Sequence, residues 1–267
     1  MKVNKKDLEK ITTYQEEINK FYLLNLISST EESLVYSDKE NYIIGRSRKG
    51  LPTWIWTIDN ITPEKIIELE NELDLFLEEG ENKITSKKEL YEILKGEYNS
   101  SSYFEMGYLV CTNPVEPNIK GTFLKINYGD KTTLAKMWID NEKEMENIDV
   151  SQEEALETVE EWINGNNFYV LKDSTGKIVC MAGYSVLDNT AKITHVYTPK
   201  EERGKGYCKS LVYQLTKKLL SDGLTPLLYT DYNYEASNKA YKDVGYNDEG
   251  ILINFNISIE KDKKKQK

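Results

Sequence analysis

Histidine and cysteine are scarce in this 267-residue chain, which contains one histidine, His195, and three cysteines. A metal centre built from several histidines is therefore excluded. Cys111, Cys180 and Cys208 lie far apart and lack CxxC spacing, a pattern typical of free thiols rather than of disulfides or a zinc site. We therefore predict no metal site and a reducing, cytoplasmic environment.

The chain also lacks long apolar runs and an excess of positive charge. No apolar stretch approaches the roughly 20 residues of a membrane span, and the N-terminal "MKVNKKDLEKITTYQEEINK" is too charged for a signal peptide. The net charge of −10 opposes attraction to nucleic-acid phosphates or anionic lipid. We therefore expect neither nucleic acid nor membrane as a partner, whereas a cationic partner would not be repelled.

Prolines are few, and two of the six, Pro114 and Pro117, interrupt the stretch "TNPVEPNIKG". Proline removes a backbone donor and breaks regular pairing, so this stretch is the predicted linker. The predicted organisation is an N-terminal α+β domain at 1–115, a second domain at 116–260 and a basic tail at 261–267.

Local signals upstream of the linker indicate strands followed by helices. The segments "ENYIIGR" and "PTWIWT" resemble strands, Thr62 with Pro63 predicts a helix start, and Ser86 with Glu89 predicts a second one through a capping box. We find no catalytic motif in this region. The N-terminal domain could be a degenerate copy of the second.

Downstream of the linker, turn residues separate three strand-like segments: "NFYVLKD", "IVCMAGYSVLD" and "TAKITHVYT". Their hairpin spacing predicts an antiparallel meander. A helix after Gly206 precedes the strand "PLLYTD", and a crossover helix implies parallel pairing. The predicted fold class is α/β (α+β), a mixed, mostly antiparallel sheet flanked by helices.

The connection between a strand and this helix is rich in glycine and positive charge: Arg203-Gly204-Lys205-Gly206. Backbone N–H groups at a helix N-terminus bind anions, and glycines let a phosphate approach the main chain. A pyrophosphate fits such a run of amides. The alternative is that the glycines only make a tight turn. The loop is neither a P-loop nor G-x-G-x-x-G.

The residues Arg203 to Cys208, together with "LYTDYNYEASNKAYKDVGY", resemble two motifs of the GNAT superfamily of N-acetyltransferases over about residues 121–257. The resemblance implies a GNAT-like sheet and acetyl-CoA as co-substrate. It implies that the backbone of Val196 to Thr198 pairs with the pantetheine arm. Two positions depart from the family pattern, since Cys208 replaces a Gly or Ala and Tyr234 replaces an Asn. The implied cofactor-binding residues are Val196, Tyr197, Thr198, Arg203, Gly204, Lys205, Gly206, Tyr207, Cys208, Lys209 and Asn238.

Tyr241 is the candidate general acid. It shares a helix face with Ser237 and Asn238 by spacing. A phenol stays protonated at neutral pH and can donate to a departing thiolate. The alternative is a core tyrosine that packs the helix on the sheet. A backbone N–H near Tyr197 would meet the oxyanion.

His195 is the candidate general base, because imidazole titrates near neutrality. Strand alternation predicts that it faces away from Lys192, Thr194 and Val196. In the GNAT family a catalytic carboxylate often stands where this chain has Lys192, and a charged lysine cannot accept a proton. A packed strand histidine is the alternative.

The predicted function is transfer of an acetyl group from acetyl-CoA to a primary amine, by direct attack on the thioester. The acceptor could be a small molecule or a peptide, and a homodimer is left open. A non-catalytic acyl-CoA-binding or regulatory module is the alternative, and a protein-interaction scaffold without a ligand is the third.

Overall fold

The computed structural model describes residues 1–145 and 147–260, and its contacts divide the chain into two compact units. The first unit comprises Met1–Tyr108, Asp231–Asn233 and the chain from Glu249, and the second comprises Leu109–Thr230 and Tyr234–Asp248. The predicted basic tail at 261–267 lies outside the described residues. The boundary predicted at 115/116 separates two domains that would each fold alone, and it stays a prediction.

The first unit contains five helices and six strands in its described residues. The strands follow the order β1-β2-β3-β4-β11-β5. The first two pairs are antiparallel, β3 and β4 are parallel, and β4 and β11 are antiparallel. The elements are α1 (Lys5–Leu8), α2 (Thr12–Glu16), α3 (Tyr22–Ser28), β1 (Leu34–Ser37), β2 (Tyr42–Arg46), β3 (Thr53–Thr57), α4 (Pro63–Leu73), β4 (Gly80–Ser86), α5 (Lys88–Glu97) and most of β5 (Ser100–Val110) and β11 (Asn247–Ile259).

The structure shows which residues cap the two helices whose starts were predicted in the first unit. Thr62 caps α4 with its side chain, with Pro63 at the first helical position, as predicted. The capping box at Ser86 is wrong, because α5 has Lys87 as its N-cap and Ser86 is the last residue of β4. Ser86 is buried in the sheet, and its hydroxyl donates to the carbonyl of Lys87 instead of capping the helix.

The second unit is a mixed sheet with helices on both faces. Strands β7, β8 and β9 form an antiparallel meander and β9 pairs in parallel with β10, as predicted. The strand order is β10-β9-β8-β7-β6, with β6 antiparallel to β7. The elements are β6 (Thr122–Lys125), α6 (Lys131–Met145), α7 (Gln152–Gly165), β7 (Phe168–Lys172), β8 (Ile178–Leu187), β9 (Thr190–Tyr197), α8 (Tyr207–Ser221), β10 (Thr225–Asp231) and α9 (Glu235–Asp243).

The core of the second unit lies in two layers, one on each side of this sheet. On one face, the leucine stripe of α8 (Leu211, Leu215, Leu219) packs with Ala191 and Ile193 of β9. Each fully buried leucine contributes about 1.5–3 kcal/mol of hydrophobic free energy. On the other face, α6 and α7 cover residues such as Phe168 of β7 and Tyr197 of β9. We call these the α8 face and the α6–α7 face.

The two units share one arrangement of strands. In each, two antiparallel pairs are followed by a parallel pair joined through a crossover helix: β1-β2-β3-α4-β4 in the first unit and β7-β8-β9-α8-β10 in the second. Common topology supports the proposal that the first unit is a degenerate copy, while function must be argued from the site in each.

Candidate active site

Strands β9 and β10 part within the second unit. Thr190–Ile193 pairs in register with Thr225–Leu228, but the two strands do not pair with each other beyond these residues, although β9 continues to Tyr197 and β10 to Asp231. Among the residues that the structure describes, the β10 side of strand β9 therefore has no strand partner in register beyond Ile193. This opening is able to receive an extended ligand as an added strand.

A β-bulge at His195 coincides with the opening. On β8, Gly183 and Met181 are two residues apart, but their partners on β9, Thr194 and Tyr197, are three apart. The extra residue is His195, whose φ of 52° lies in the left-handed region. A bulge of this kind bends the strand and redirects the following backbone groups.

The bulge changes which side chains share a face. Ala191, Ile193 and Val196 pack on the α8 face, so alternation places Lys192 on the α6–α7 face. His195 contacts aromatic rings of α6 and α7 and therefore lies on that face too. The prediction that His195 faces away from Lys192 is wrong, because one inserted residue reverses the alternation after Thr194.

His195 is held among three aromatic rings. Its ring centroid lies 4.8 Å from that of Trp138, 5.2 Å from Trp162 and 6.2 Å from Phe168. Burial, helped by the nearby charge of Lys192, lowers the pKa of His195 to about 4. The imidazole is therefore neutral at physiological pH.

Lys192 lies one residue before the end of the paired region of β9. Its Nζ is 6.0 Å from the centroid of the Tyr229 ring on β10. Burial lowers the pKa of Lys192 to about 8. A substantial fraction of this side chain is neutral in mildly alkaline solution, which sequence reasoning did not foresee.

The glycine loop leads directly into α8. Gly204 and Gly206 have φ values of 74° and 86°, where only glycine is free of strain. A Cβ on Gly204 would meet no protein atom within 4 Å, so the space above the loop is open to a ligand. Gly206 is the N-cap of α8 and has no side chain to occupy the first-turn amides. These features fit a phosphate group.

The cations of the loop are engaged by carboxylates. Arg203 donates from Nη1 and Nη2 to Glu144 of α6 at 2.7 and 2.8 Å. Lys205 pairs with Glu202 at 2.8 Å. Lys209 pairs with Asp243 at 2.8 Å. The predicted contribution of these side chains to phosphate binding would require them to leave these partners.

Tyr241 is buried on α9, with Tyr246 at a ring distance of 6.2 Å. Burial raises the pKa of its phenol, with smaller effects of Cys208, Cys180 and Tyr246 in the same direction. The phenol therefore stays protonated throughout the physiological range.

Several neighbours of the predicted site could not be predicted from the sequence. Thr198 donates from Oγ1 to Sγ of Cys180 on β8 at 3.1 Å, and interaction with the Cys180 thiol lowers the pKa of Cys208. Asn238 lies one turn before Tyr241 on α9, with its N–H bonded to the carbonyl of Tyr234. Glu144 and Cys180 carry no motif, and only the fold brings them to the loop.

The described ranges 1–145 and 147–260 contain neither a metal-binding group nor a membrane-spanning helix. No group of three or more His, Cys, Asp or Glu residues is placed to hold a metal ion there. In the same residues no helix is both long and apolar enough to cross a membrane.

A mixed sheet that parts beside a glycine-rich helix N-terminus defines an acetyltransferase-like fold. Residues 135–246 match the model of the acetyltransferase (GNAT) family. Residues 135–246 therefore have the features of a GNAT acetyltransferase domain. A comparison with curated proteins finds no match.

Solved structures of GNAT proteins resemble the whole chain. A GCN5-related N-acetyltransferase from Sphaerobacter thermophilus is 11% identical with a TM-score of 0.66, covering 95% of this chain and 93% of that one. A GNAT-family acetyltransferase from Colwellia psychrerythraea is 12% identical with a TM-score of 0.61, covering 95% and 94%. At such identities the likeness shows a common fold.

Proposed function

We propose that the second unit transfers an acetyl group from acetyl-CoA to a primary amine by direct attack on the thioester. The observation that carries the proposal is the opening between β9 and β10 beyond Ile193, next to the glycine loop at the start of α8. An extended thioester arm fits the opening, and a pyrophosphate fits the loop.

The chemistry needs a proton donor for the leaving thiolate. The amine nitrogen forms a bond to the carbonyl carbon, the carbon–sulfur bond breaks, and the thiolate takes a proton. Tyr241 is the proposed donor, since its phenol is buried and its pKa is raised. The backbone N–H groups around Tyr197, past the bulge, are the proposed partners of the oxyanion.

The amine must also lose a proton, and two groups on the α6–α7 face are candidates to accept it. A general base is most effective when its pKa lies near the working pH. Lys192, with a pKa of about 8, meets this condition better than His195, with a pKa of about 4. We therefore propose Lys192 as the base and keep His195 as the second candidate.

A pH profile separates these candidates. With Lys192 as base, kcat/KM rises with pH, and the midpoint of the rise lies near pH 8, because the Lys192 side chain loses its proton there. Lys192→Met and Lys192→Arg both lose this rise. Methionine has no group that can accept a proton, and arginine stays protonated throughout this pH range. His195→Asn retains it. The profile is measured with two acceptors whose amine pKa values differ. A midpoint that is the same with both belongs to a group of the enzyme and not to the acceptor. A rise that survives in Lys192→Met would refute this role.

The acceptor is identified by a thiol-release screen of polyamines, aminoglycosides, lysine and peptide N-termini with acetyl-CoA. Amine-dependent release supports the enzyme. CoA binding without turnover on any of these amines favours the alternative, a non-catalytic acyl-CoA-binding module. Absence of any thermal shift with CoA favours an interaction scaffold.

A further inference from the structure

The segment between β5 and β6 is fixed against the start of α8. The N–H of Val115 donates to the carbonyl of Val244 at 2.8 Å. The N–H of Lys120 donates to Oγ of Ser210 at 2.9 Å, and Ser210 is fully buried in the first turns of α8. A segment predicted to be a linker is therefore anchored on the second unit.

A turn at Gly121 fixes the other side of Lys120. Gly121 has a φ of 73°, and a Cβ there would lie 2.6 Å from the carbonyl oxygen of Lys172. No other residue fits this turn without displacing backbone. The position of Lys120 is thus set from both directions.

The side chain of Lys120 approaches Gly206, the last residue of the glycine loop. Its Cδ is 3.9 Å from the position that a Cβ on Gly206 would take, and no other heavy atom counted against that Cβ is as near. The ammonium is two bonds beyond Cδ. From this position the side chain can place its ammonium beside the amides that begin α8.

Lys120 differs from the other cations of the loop in its ion pairs. Arg203, Lys205 and Lys209 each hold a carboxylate. Among the residues that the structure describes, no carboxylate lies within ion-pair distance of the exposed Lys120. An incoming phosphate can pair with it without displacing an acid.

We propose that Lys120 binds a phosphate group of the nucleotide half of CoA. The proposal rests on the proposed function of the glycine loop. A lysine ammonium is a common partner of phosphate and forms short, charge-assisted hydrogen bonds to its oxygens. CoA offers two such groups, the pyrophosphate and the 3′-phosphate of its ribose.

The test is calorimetric titration of the full chain with CoA and with dephospho-CoA, which lacks the 3′-phosphate. Lys120→Gln keeps the backbone N–H that binds Ser210 and removes only the charge. Lys125→Gln removes an exposed charge of the same sign from β6 nearby. We expect Lys120→Gln to weaken CoA binding by at least about tenfold, the size of a charge-assisted bond, and Lys125→Gln by less than about twofold.

The two ligands distinguish the phosphates. If Lys120 binds the 3′-phosphate, the variant binds dephospho-CoA as well as the unchanged protein does, and if it binds the pyrophosphate, both ligands weaken. Affinities for both within twofold of the unchanged protein, or an equal loss in Lys125→Gln, would overturn the proposal. An unchanged protein that binds no CoA would instead overturn the assignment of the loop, and this proposal with it.

Discussion

At the scale of single residues, one inserted amino acid changes which side chains lie on the α6–α7 face. His195 occupies a left-handed conformation in the bulge of β9, and its ring enters the aromatic group formed by Trp138, Trp162 and Phe168. Alternation could not reveal this, because bulges depend on pairing with a partner strand. Tyr241, by contrast, is a candidate that spacing on one helix is enough to indicate.

Replacing Tyr241 with Phe tests the proposed proton donor. The ring that packs on the α8 face is kept, but the hydroxyl is lost. General-acid assistance is typically worth a hundred- to ten-thousand-fold, so we expect kcat to fall by at least about tenfold. CoA affinity should change by less than about tenfold, since one neutral hydrogen bond contributes about 1 kcal/mol. A preserved kcat with weaker CoA binding would make Tyr241 a cofactor contact.

His195→Asn tests the buried imidazole through stability. Asn tolerates the left-handed conformation, so the backbone cost is small. The pKa of His195 falls from 6.5 to about 4 on folding, so its contribution to stability is present above pH 6.5 and is lost as pH falls through that window. Between pH 7 and 5, we expect the unchanged protein to lose about 1 kcal/mol more free energy of unfolding than the variant, allowing for partial exposure. Equal losses in urea titrations would contradict the shifted pKa.

At the scale of elements, the sequence predicts helix starts and hairpins but not the contacts between residues that are distant in the chain. The Thr62 cap of α4, the meander and the start of α8 all follow from short sequence patterns. The Ser86 cap failed because the sheet uses that residue. The contacts of Glu144 with Arg203 and of Lys120 with α8 join residues distant in the chain, and no local pattern encodes such pairs.

The glycine loop can be tested with a matched pair of substitutions. Gly206 and Gly176 have φ values of 86° and 85°, and neither Cβ would clash with the protein. Aspartate therefore costs similar backbone strain at both positions. We expect Gly206→Asp to remove CoA binding through bulk and like-charge repulsion, while Gly176→Asp, in the β7–β8 turn, binds CoA normally. Similar affinities in calorimetry would mean that the loop is only a turn.

At the scale of the whole molecule, two units share a topology but differ at the equivalent connection. In the first unit the link from β3 to α4 carries no glycine, and Asp59 in it binds Lys87 at 2.8 Å. A carboxylate at this place repels phosphate. Shared strand order therefore does not imply a shared site.

Binding stoichiometry tests this difference. In the described part of the chain the open glycine loop lies in the second unit alone, so we expect one CoA per chain in a calorimetric titration of the full protein. Gly206→Asp should bring the stoichiometry to zero. Two equivalents per chain, or one remaining in Gly206→Asp, would place a CoA site elsewhere.

Direct transfer to an amine is the central claim, and a single-turnover experiment with isotope-labelled acetyl groups tests it most directly. Excess protein is mixed with labelled acetyl-CoA and the amine returned by the screen, and both products are followed by mass spectrometry. The account predicts one labelled amide for each thiol released and no labelled protein at any time. Label on Cys208 or another side chain, or thiol released with acetate and no labelled amide, would contradict it.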